Sequence, residues 1–429
     1  MSVPDVKRIS LGEGIYAVTV RDTRFKTSRI SLSFALPQDI DTASATALAA
    51  CLCSRGCAGY PTYKSLQTRL EELYGAYVFW TVRKQGDYQI IRLGIEYLCD
   101  KYAFDGENIS AGAAELLSEL IFNPFTENGE FGAAQFAEAH RLLIEKIESE
   151  INDKTRYALT QAERLSAQGE PGGIPAYGRL EEAREVTAAD AYAALKNMLA
   201  TAAVQINFLG GGDFSLVREL FAKGFKKIRR APVTLPEQIT KPARSPMIEE
   251  VENMQLNQDK LVIILRSGNS VGMADSAAHK LMADMFGGGP YSLLFEHVRE
   301  ELSLCYFCSA RYNLYKNMLA VVSGVESDKV QIAREEIQRQ FKSVRDGVFS
   351  QETFSAAKAG LTDSYMSASD EISSMDEWYA AFVTRKEVIT LEDFAGQIGN
   401  VTAEQVAKAA AEFEVDCVYL LSGESPPVA

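Results

Sequence analysis

The residue pattern of the first half of the chain returns in the second, which limits the fold to two copies of one unit. Ile30 aligns with Leu261, Tyr77 with Tyr306, and Gly94 of Leu-Gly-Ile-Glu with Gly324 of Ser-Gly-Val-Glu. Phe136 then aligns with Phe354, and Val186-Thr187-Ala188 with Val401-Thr402-Ala403. The separation shrinks along the chain, as differences in loop length would make it. With 429 residues, each copy is large enough to enclose its own core.

Apolar alternation and short apolar runs predict the same order of elements in both halves. In the first half, strands are expected at Ile15–Val20, Ile30–Phe34, Tyr77–Val82, Gln89–Ile95 and Val204–Leu209. Helical spacing marks Ser44–Cys53, Leu66/Leu70/Leu73, Ala113–Ile121 and Phe136–Ile151, and a further helix runs from Thr187. In the second half, strands are expected at Lys260–Leu265, Tyr306–Tyr312, Met318–Val325 and Val415–Leu421, with helices at Asp275–Phe286 and Ser292–Leu302. Two longer helices precede the closing strand. Thr187-x-x-Asp190 and Thr402-x-x-Gln405 read as helix starts, where a hydroxyl caps free N–H groups. Between the halves, Lys226 to Pro246 is polar and carries Pro232, Pro236 and Pro242, the composition of a linker. The expected architecture is α+β, with two homologous domains, each a mainly antiparallel sheet with helices packed on one side. The domains are residues 1–225 and 247–429, joined by the linker 226–246.

Charge and composition exclude several function classes. Against 44 basic residues stand 58 acidic ones, a net charge of −14, so neither nucleic acid nor an anionic membrane suits as the main partner. No run of about 18 apolar residues is present to span a bilayer. Met1 to Val20 carries Asp5, Lys7, Arg8 and Glu13 and no apolar signal-peptide core. Seven cysteines without framework spacing suit a reducing compartment, so a cytoplasmic protein is expected. The three histidines, His140, His279 and His297, form no His-x-x-x-His pair. A self-contained zinc hydrolase is therefore not expected.

Five motifs could carry chemistry. Gly287-Gly288-Gly289 feeds a helix, either as a tight turn or as a loop that admits a peptide backbone, since glycine tolerates positive φ and close approach. Arg299 and Tyr306 lie seven residues apart, and together their donors could hold a peptide carbonyl or an oxyanion; the bland alternative is a solvated arginine and a core tyrosine. His297-x-x-Glu300-Glu301 is a poor zinc helix, with one imidazole only. Gly268-Asn269-Ser270-Val271-Gly272 matches a nucleophile elbow, but no histidine follows His297 in the rest of the chain. Cys51-x-Cys53-x-x-x-Cys57 and Cys305-x-x-Cys308 read as small buried apolar residues.

The run from Gly287 to Tyr306, Gly-Gly-Gly-Pro-Tyr-Ser-x-Leu-Phe-x-x-x-Arg-Glu-x-x-Ser-Leu-Cys-Tyr, resembles the second domain of the pitrilysin/insulinase-type zinc metallopeptidases. The duplicated halves resemble that family too, over essentially the whole chain. The resemblance implies that Arg299 and Tyr306 bind substrate, with Gly287, Gly288 and Gly289 as the glycine-rich loop. Active members carry His-x-x-Glu-His in the first-domain helix. Registering on Gly56 puts Ala47, Ala50 and Cys51 at the first ligand, the general base and the second ligand. A third ligand would come from the helix around Glu138–Glu150, with nothing to complete.

Leu70-Glu71-Glu72-Leu73-Tyr74-Gly75-Ala76 and the strands after it resemble the zinc-less bacterial members, akin to the non-catalytic subunits of processing-peptidase-like heterodimers. Such members occur beside a zinc-bearing paralogue, and two chains close around a chamber. The implied function is a non-catalytic, substrate-binding subunit of a heteromeric zinc metalloendopeptidase that degrades or processes peptides. No metal or other cofactor is expected in this chain, and zinc is expected in a partner carrying His-x-x-Glu-His. No activity is expected without that partner. The rivals are an inactive scaffold of the same fold and a serine hydrolase using Ser270.

Overall fold

The computed structural model describes residues 5–423; the outer ends of the expected spans 1–225 and 247–429 lie outside them. Strands form where the alternation predicts: β1 Asp5–Gly12, β2 Ile15–Arg21, β3 Thr27–Pro37, β4 Tyr77–Gln85, β5 Tyr88–Leu98, β6 Thr126–Glu127, β7 Glu130–Phe131, β8 Ala203–Gly210, β9 Ile248–Asn253, β10 Asp259–Arg266, β11 Cys305–Asn313, β12 Met318–Val325 and β13 Glu414–Ser422. Besides the two-residue pair β6 and β7, two longer strands were not expected, β1 and β9. Both are charge-rich, and each lies at the edge of its sheet, where side chains meet water and the apolar signal fades.

The sheets have matching orders apart from β1, an extra edge strand on the first. One runs β1-β2-β8-β3-β5-β4 and the other β9-β13-β10-β12-β11, read from the equivalent end. Each contains one parallel pair, β2 with β8 and β9 with β13, and is otherwise antiparallel. The duplicated α+β architecture is thus present in topology as well as in sequence. The glycine match also acquires a cause. Gly94 lies opposite Phe79 and Gly324 opposite Phe307, each ring filling the space a side chain would need. Arg29 stacks over the first ring at 3.8 Å and Lys260 over the second at 5.6 Å. Across the next strand, Gly94 pairs with Ser31 and Gly324 with Lys260. Ser31 is therefore equivalent to Lys260, which moves the Ile30–Leu261 match by two residues. Side chains alternate with period two, so a shift of two keeps the same face and leaves no mark in the pattern.

The chain packs as two compact units, and each borrows from the other half of the sequence. The first comprises Met1–Glu148, Ile174–Pro236 and Ala368–Thr390; the second comprises Ser149–Gly173, Glu237–Ser367 and Leu391–Ala429. In the first unit, helices Ile40–Cys53, Ile109–Phe122, Ala188–Thr201 and Phe214–Lys226 cover the apolar face of the sheet, around Ile30, Leu32, Phe34, Leu48, Leu117 and Phe221. The opposite face is polar and receives the helix Ile372–Ala380. There Asp376, wholly buried, accepts from Ser31 Oγ at 2.6 Å, Asn207 Nδ2 at 2.9 Å, Arg29 Nε at 2.9 Å and Arg92 Nη2 at 2.5 Å.

In the second unit, helices Ala277–Gly287 and Val330–Arg345 cover one face, and helix Lys154–Ser166 covers the other, Ala158 and Ala162 packing on Val262, Ile264 and Tyr419. At its last residue, Ser166 Oγ donates to Asp416 at 2.6 Å, and past the end buried Glu170 pairs with Arg266 at 2.9 Å and Lys316 at 2.7 Å. A one-sided helix layer is thus joined on each sheet by a single helix on the other face. The continuous spans 1–225 and 247–429 follow chain order, whereas packing assigns 149–173 to the second unit and 368–390 to the first. The boundary at Pro236/Glu237 falls inside the expected linker, which is irregular in structure. Both predicted capping boxes are formed, at Thr187/Asp190 and Thr402/Gln405.

Candidate functional site

The segment from Gly287 to Tyr306 folds as helix end, turn, wide helix and strand. Its glycines do not use positive φ; their value is close approach. A Cβ on Gly287 would lie 2.5 Å from Ala310 N, and one on Gly288 would lie 2.2 Å from Asp284 Oδ1. At Gly289 the Tyr291 ring stands 3.0 Å away, its hydroxyl donating to Asp284 at 2.7 Å. Burial raises the Asp284 carboxyl and the Tyr291 bond offsets part of this. The space beside each glycine is occupied by this chain, and none of the three lines the pocket described next.

Leu294–Glu301 is a π-helix, with the wider i→i+5 turn. Ser303, at φ 48°, reverses the chain, and Leu304 N donates to Val298 O at 3.0 Å. This turn brings Arg299, from the helix, and Tyr306, from the strand, to one pocket of about 360 Å³, lined also by Glu300, Ser303, Leu304, Cys305 and Glu326. Arg299 lies over the Phe295 ring at 4.6 Å, and its Nε is 3.4 Å from Glu300. Tyr306 is 71% exposed, which excludes the core-tyrosine reading.

The exposure of Tyr306 has a local cause. Cys305 pairs with Val325 and Phe307 with Gly324, so Tyr306 is an extra residue in a β-bulge. Without the bulge, Cys305 and Cys308 would point to opposite faces; with it, both share the face of Val325 and Ser323. A hydrogen bond from Cys308 is the main cause that lowers the Cys305 thiol, to about 7, opposed by burial and aided by Ser323 and the Arg299 charge. Cys308 moves the other way, upward, by that same bond and by burial. Sequence reasoning missed Cys305, Ser303 and Glu326 as pocket residues. Cys305 had a signal in its place beside Tyr306; the bulge had none.

The first-unit helix holds the other half of the expected site. Ala47 and Ala50 are fully buried and offer no donor atom, and Cys51 is buried. Burial raises the Cys51 thiol, and nearby Arg55 opposes this. Arg55 reaches Glu138 at 2.5 Å, so a guanidinium stands beside the thiol and engages a carboxylate of the neighbouring helix. This donor set does not fit zinc, which needs deprotonated N, S or O ligands and no competing cation. Among the described residues no group of three or more His, Cys, Asp or Glu could hold a metal ion.

The remaining motifs are accounted for. His297 Nδ1 is 2.7 Å from Glu301 and forms a surface pair. After Ser270 the chain continues in an irregular loop and a short 3₁₀ turn before helix Ala277–Gly287, so the strand–turn–helix of a nucleophile elbow is not made. His279 stacks on Tyr312 and faces Glu412 at 3.4 Å. All seven cysteines are free, and six are buried; Cys305 is half-buried.

Residues 185–361 match the family described as the peptidase M16 inactive domain. A Bacillus subtilis (strain 168) protein named "Probable inactive metalloprotease YmfF" is 27% identical over 410 residues, 96% of each chain. The chain is thus similar to M16-type proteins of the inactive kind. The likeness in fold extends to solved structures. A conserved protein from Enterococcus faecalis V583 matches with TM-score 0.88 at 26% identity, over 98% of this chain and 99% of its own. A peptidase M16 inactive domain from Pseudomonas fluorescens shares the fold, with TM-score 0.80 at 19% identity over 98% and 100% of the two chains. Among the described residues no helix is long and apolar enough to cross a membrane.

Proposed function

We propose that this chain is the substrate-binding, non-catalytic subunit of a heteromeric zinc metalloendopeptidase, whose zinc belongs to a paralogous chain carrying His-x-x-Glu-His. The observation that carries the reading is the exposed Arg299/Tyr306 pair on one pocket. A guanidinium and a phenol are N–H and O–H donors, and a peptide carbonyl offers lone pairs to both. Held beside a partner's zinc, the same donors stabilise the oxyanion that forms when water adds to that carbonyl. The chain supplies donors and the partner supplies metal and base. Peptides are the substrate class, and the cytoplasm is the compartment the cysteine usage suits.

The test is reconstitution with the zinc-bearing paralogue and hydrolysis of a quenched fluorescent peptide. Arg299→Ala should leave the complex intact by size exclusion and lower kcat/KM about 10²-fold, the usual cost of one oxyanion donor. Unchanged hydrolysis by an intact complex would overturn the reading. Native purification without any such partner would move the chain to the scaffold role.

A further inference from the structure

Holding a carbonyl leaves one pocket residue unused, the Cys305 thiol. Of the seven cysteines, Cys305 is the one that is not buried, and it lines the pocket beside Arg299, Ser303 and Tyr306. The bulge at Tyr306 sets buried Cys308 on the same face directly behind it, so one thiol can donate to the other. The charged groups that face the pocket are Arg299, Glu300 and Glu326. Glu326 is matched by Lys329 at 2.7 Å, and Glu300 lies 3.4 Å from Arg299 Nε. Arg299, exposed and paired with Glu300 at that distance, is the one cation among the residues lining the pocket beside the thiol. A volume of about 360 Å³ is in the range of small-molecule sites.

We propose that Cys305 is a modification site for low-molecular-weight disulfides of acidic peptide thiols, with Arg299 receiving a carboxylate of the incoming group. In the reaction, Cys305 first gives its proton to solvent. Its thiolate then attacks one sulfur of the disulfide, forming a Cys305–S–S–R bond as the original S–S bond breaks. The departing thiolate takes a proton from solvent. Cys305 is oxidised, one half of the disulfide is reduced, and no other oxidant is needed. The adduct fills the pocket, so on the reading given above it would block peptide binding there. Dithiol reductants would restore the free thiol.

The experiment treats the full native chain with glutathione disulfide across a pH series and follows intact mass and tryptic maps. One glutathione should add per chain, on Cys305, with a rate midpoint near pH 7. Cys305→Ser should take up none under the same conditions. Arg299→Met should move the midpoint upward and slow the reaction about five-fold at neutral pH, through loss of a stabilising charge and of a carboxylate partner. An adduct forming first on another cysteine, no adduct on native Cys305, or a midpoint insensitive to Arg299→Met would each overturn the proposal. The wild-type map decides the site even if a variant fails to fold. In the reconstituted complex, a chain fully modified at Cys305 that still hydrolyses peptide normally would refute the peptide-holding role and leave the modification site standing.

Discussion

Asp376 ties the helix Ile372–Ala380 to the first unit's sheet, and Asp376→Asn measures the strength of that tie. The two carboxylate oxygens accept four hydrogen bonds, from Ser31 and Asn207 on one oxygen and from Arg29 and Arg92 on the other. Asparagine retains one accepting oxygen and turns an NH₂ toward N–H donors. Arg29 keeps a second partner, Glu96, at 2.6 Å, but Arg92 keeps only long contacts, to Ser31 Oγ at 3.4 Å and to Glu377 at 4.0 Å. The cost therefore falls mainly on Arg92, whose side chain is 5% exposed. Breaking a buried ion pair from one side typically costs about 3–5 kcal/mol. With a urea m-value of about 3 kcal/mol/M, the midpoint for the first unit should fall by about 1–1.7 M.

Burial raises the Asp376 carboxyl, but the Arg92 and Arg29 charges and the Ser31 and Asn207 bonds outweigh it and hold the carboxyl below its ordinary range. Its stabilisation is therefore complete above the unfolded carboxylate value of about 3.9 and is lost as pH falls through the lower folded value. The gap between wild type and Asp376→Asn should be constant near neutrality and should close in acid. Adding Arg92→Met to Asp376→Asn should recover part of the loss, since the uncompensated charge is gone. A loss below about 1 kcal/mol at neutral pH would refute the reasoning, because it would mean that the two guanidiniums are solvated without the carboxylate.

Two other substitutions test the duplicated features by chemical denaturation. Gly94→Ala should destabilise the first unit by about 1–3 kcal/mol, because the new methyl meets the Phe79 ring at 2.2 Å and Ile30 O at 2.7 Å. Gly324→Ala should cost less, since its nearest neighbours are the Gln258 amide at 2.5 Å and the Phe307 ring at 2.6 Å, and a glutamine end can swing away. Thr187→Ala and Thr402→Ala should each lower stability by about 1 kcal/mol through loss of a helix cap, with Ser restoring most of it.

Local features were legible from neighbouring residues. Period-two and short apolar runs located nine of the strands, Thr-x-x-Asp and Thr-x-x-Gln marked two helix starts, and three histidines with no His-x-x-x-His pair spoke against a self-contained zinc site. The spacing of Arg299 and Tyr306 was readable too. Their meeting at one pocket required the Ser303 reversal and the Tyr306 bulge, and the register that creates a bulge is set by the partner strand Met318–Val325. The role of Gly287–Gly289 likewise depended on Ala310, Asp284 and Tyr291 occupying the space beside them.

The exchange of helices was beyond local reading altogether. Asp376 looks like any helix carboxylate until Arg29 and Arg92, some 300 residues earlier, close around it, and Ala158 looks like any helix alanine until Val262 lies beneath it. Periodicity states which face of an element must be buried. Only the tertiary structure decides against which sheet, because that depends on the charges and shapes of side chains far away in sequence.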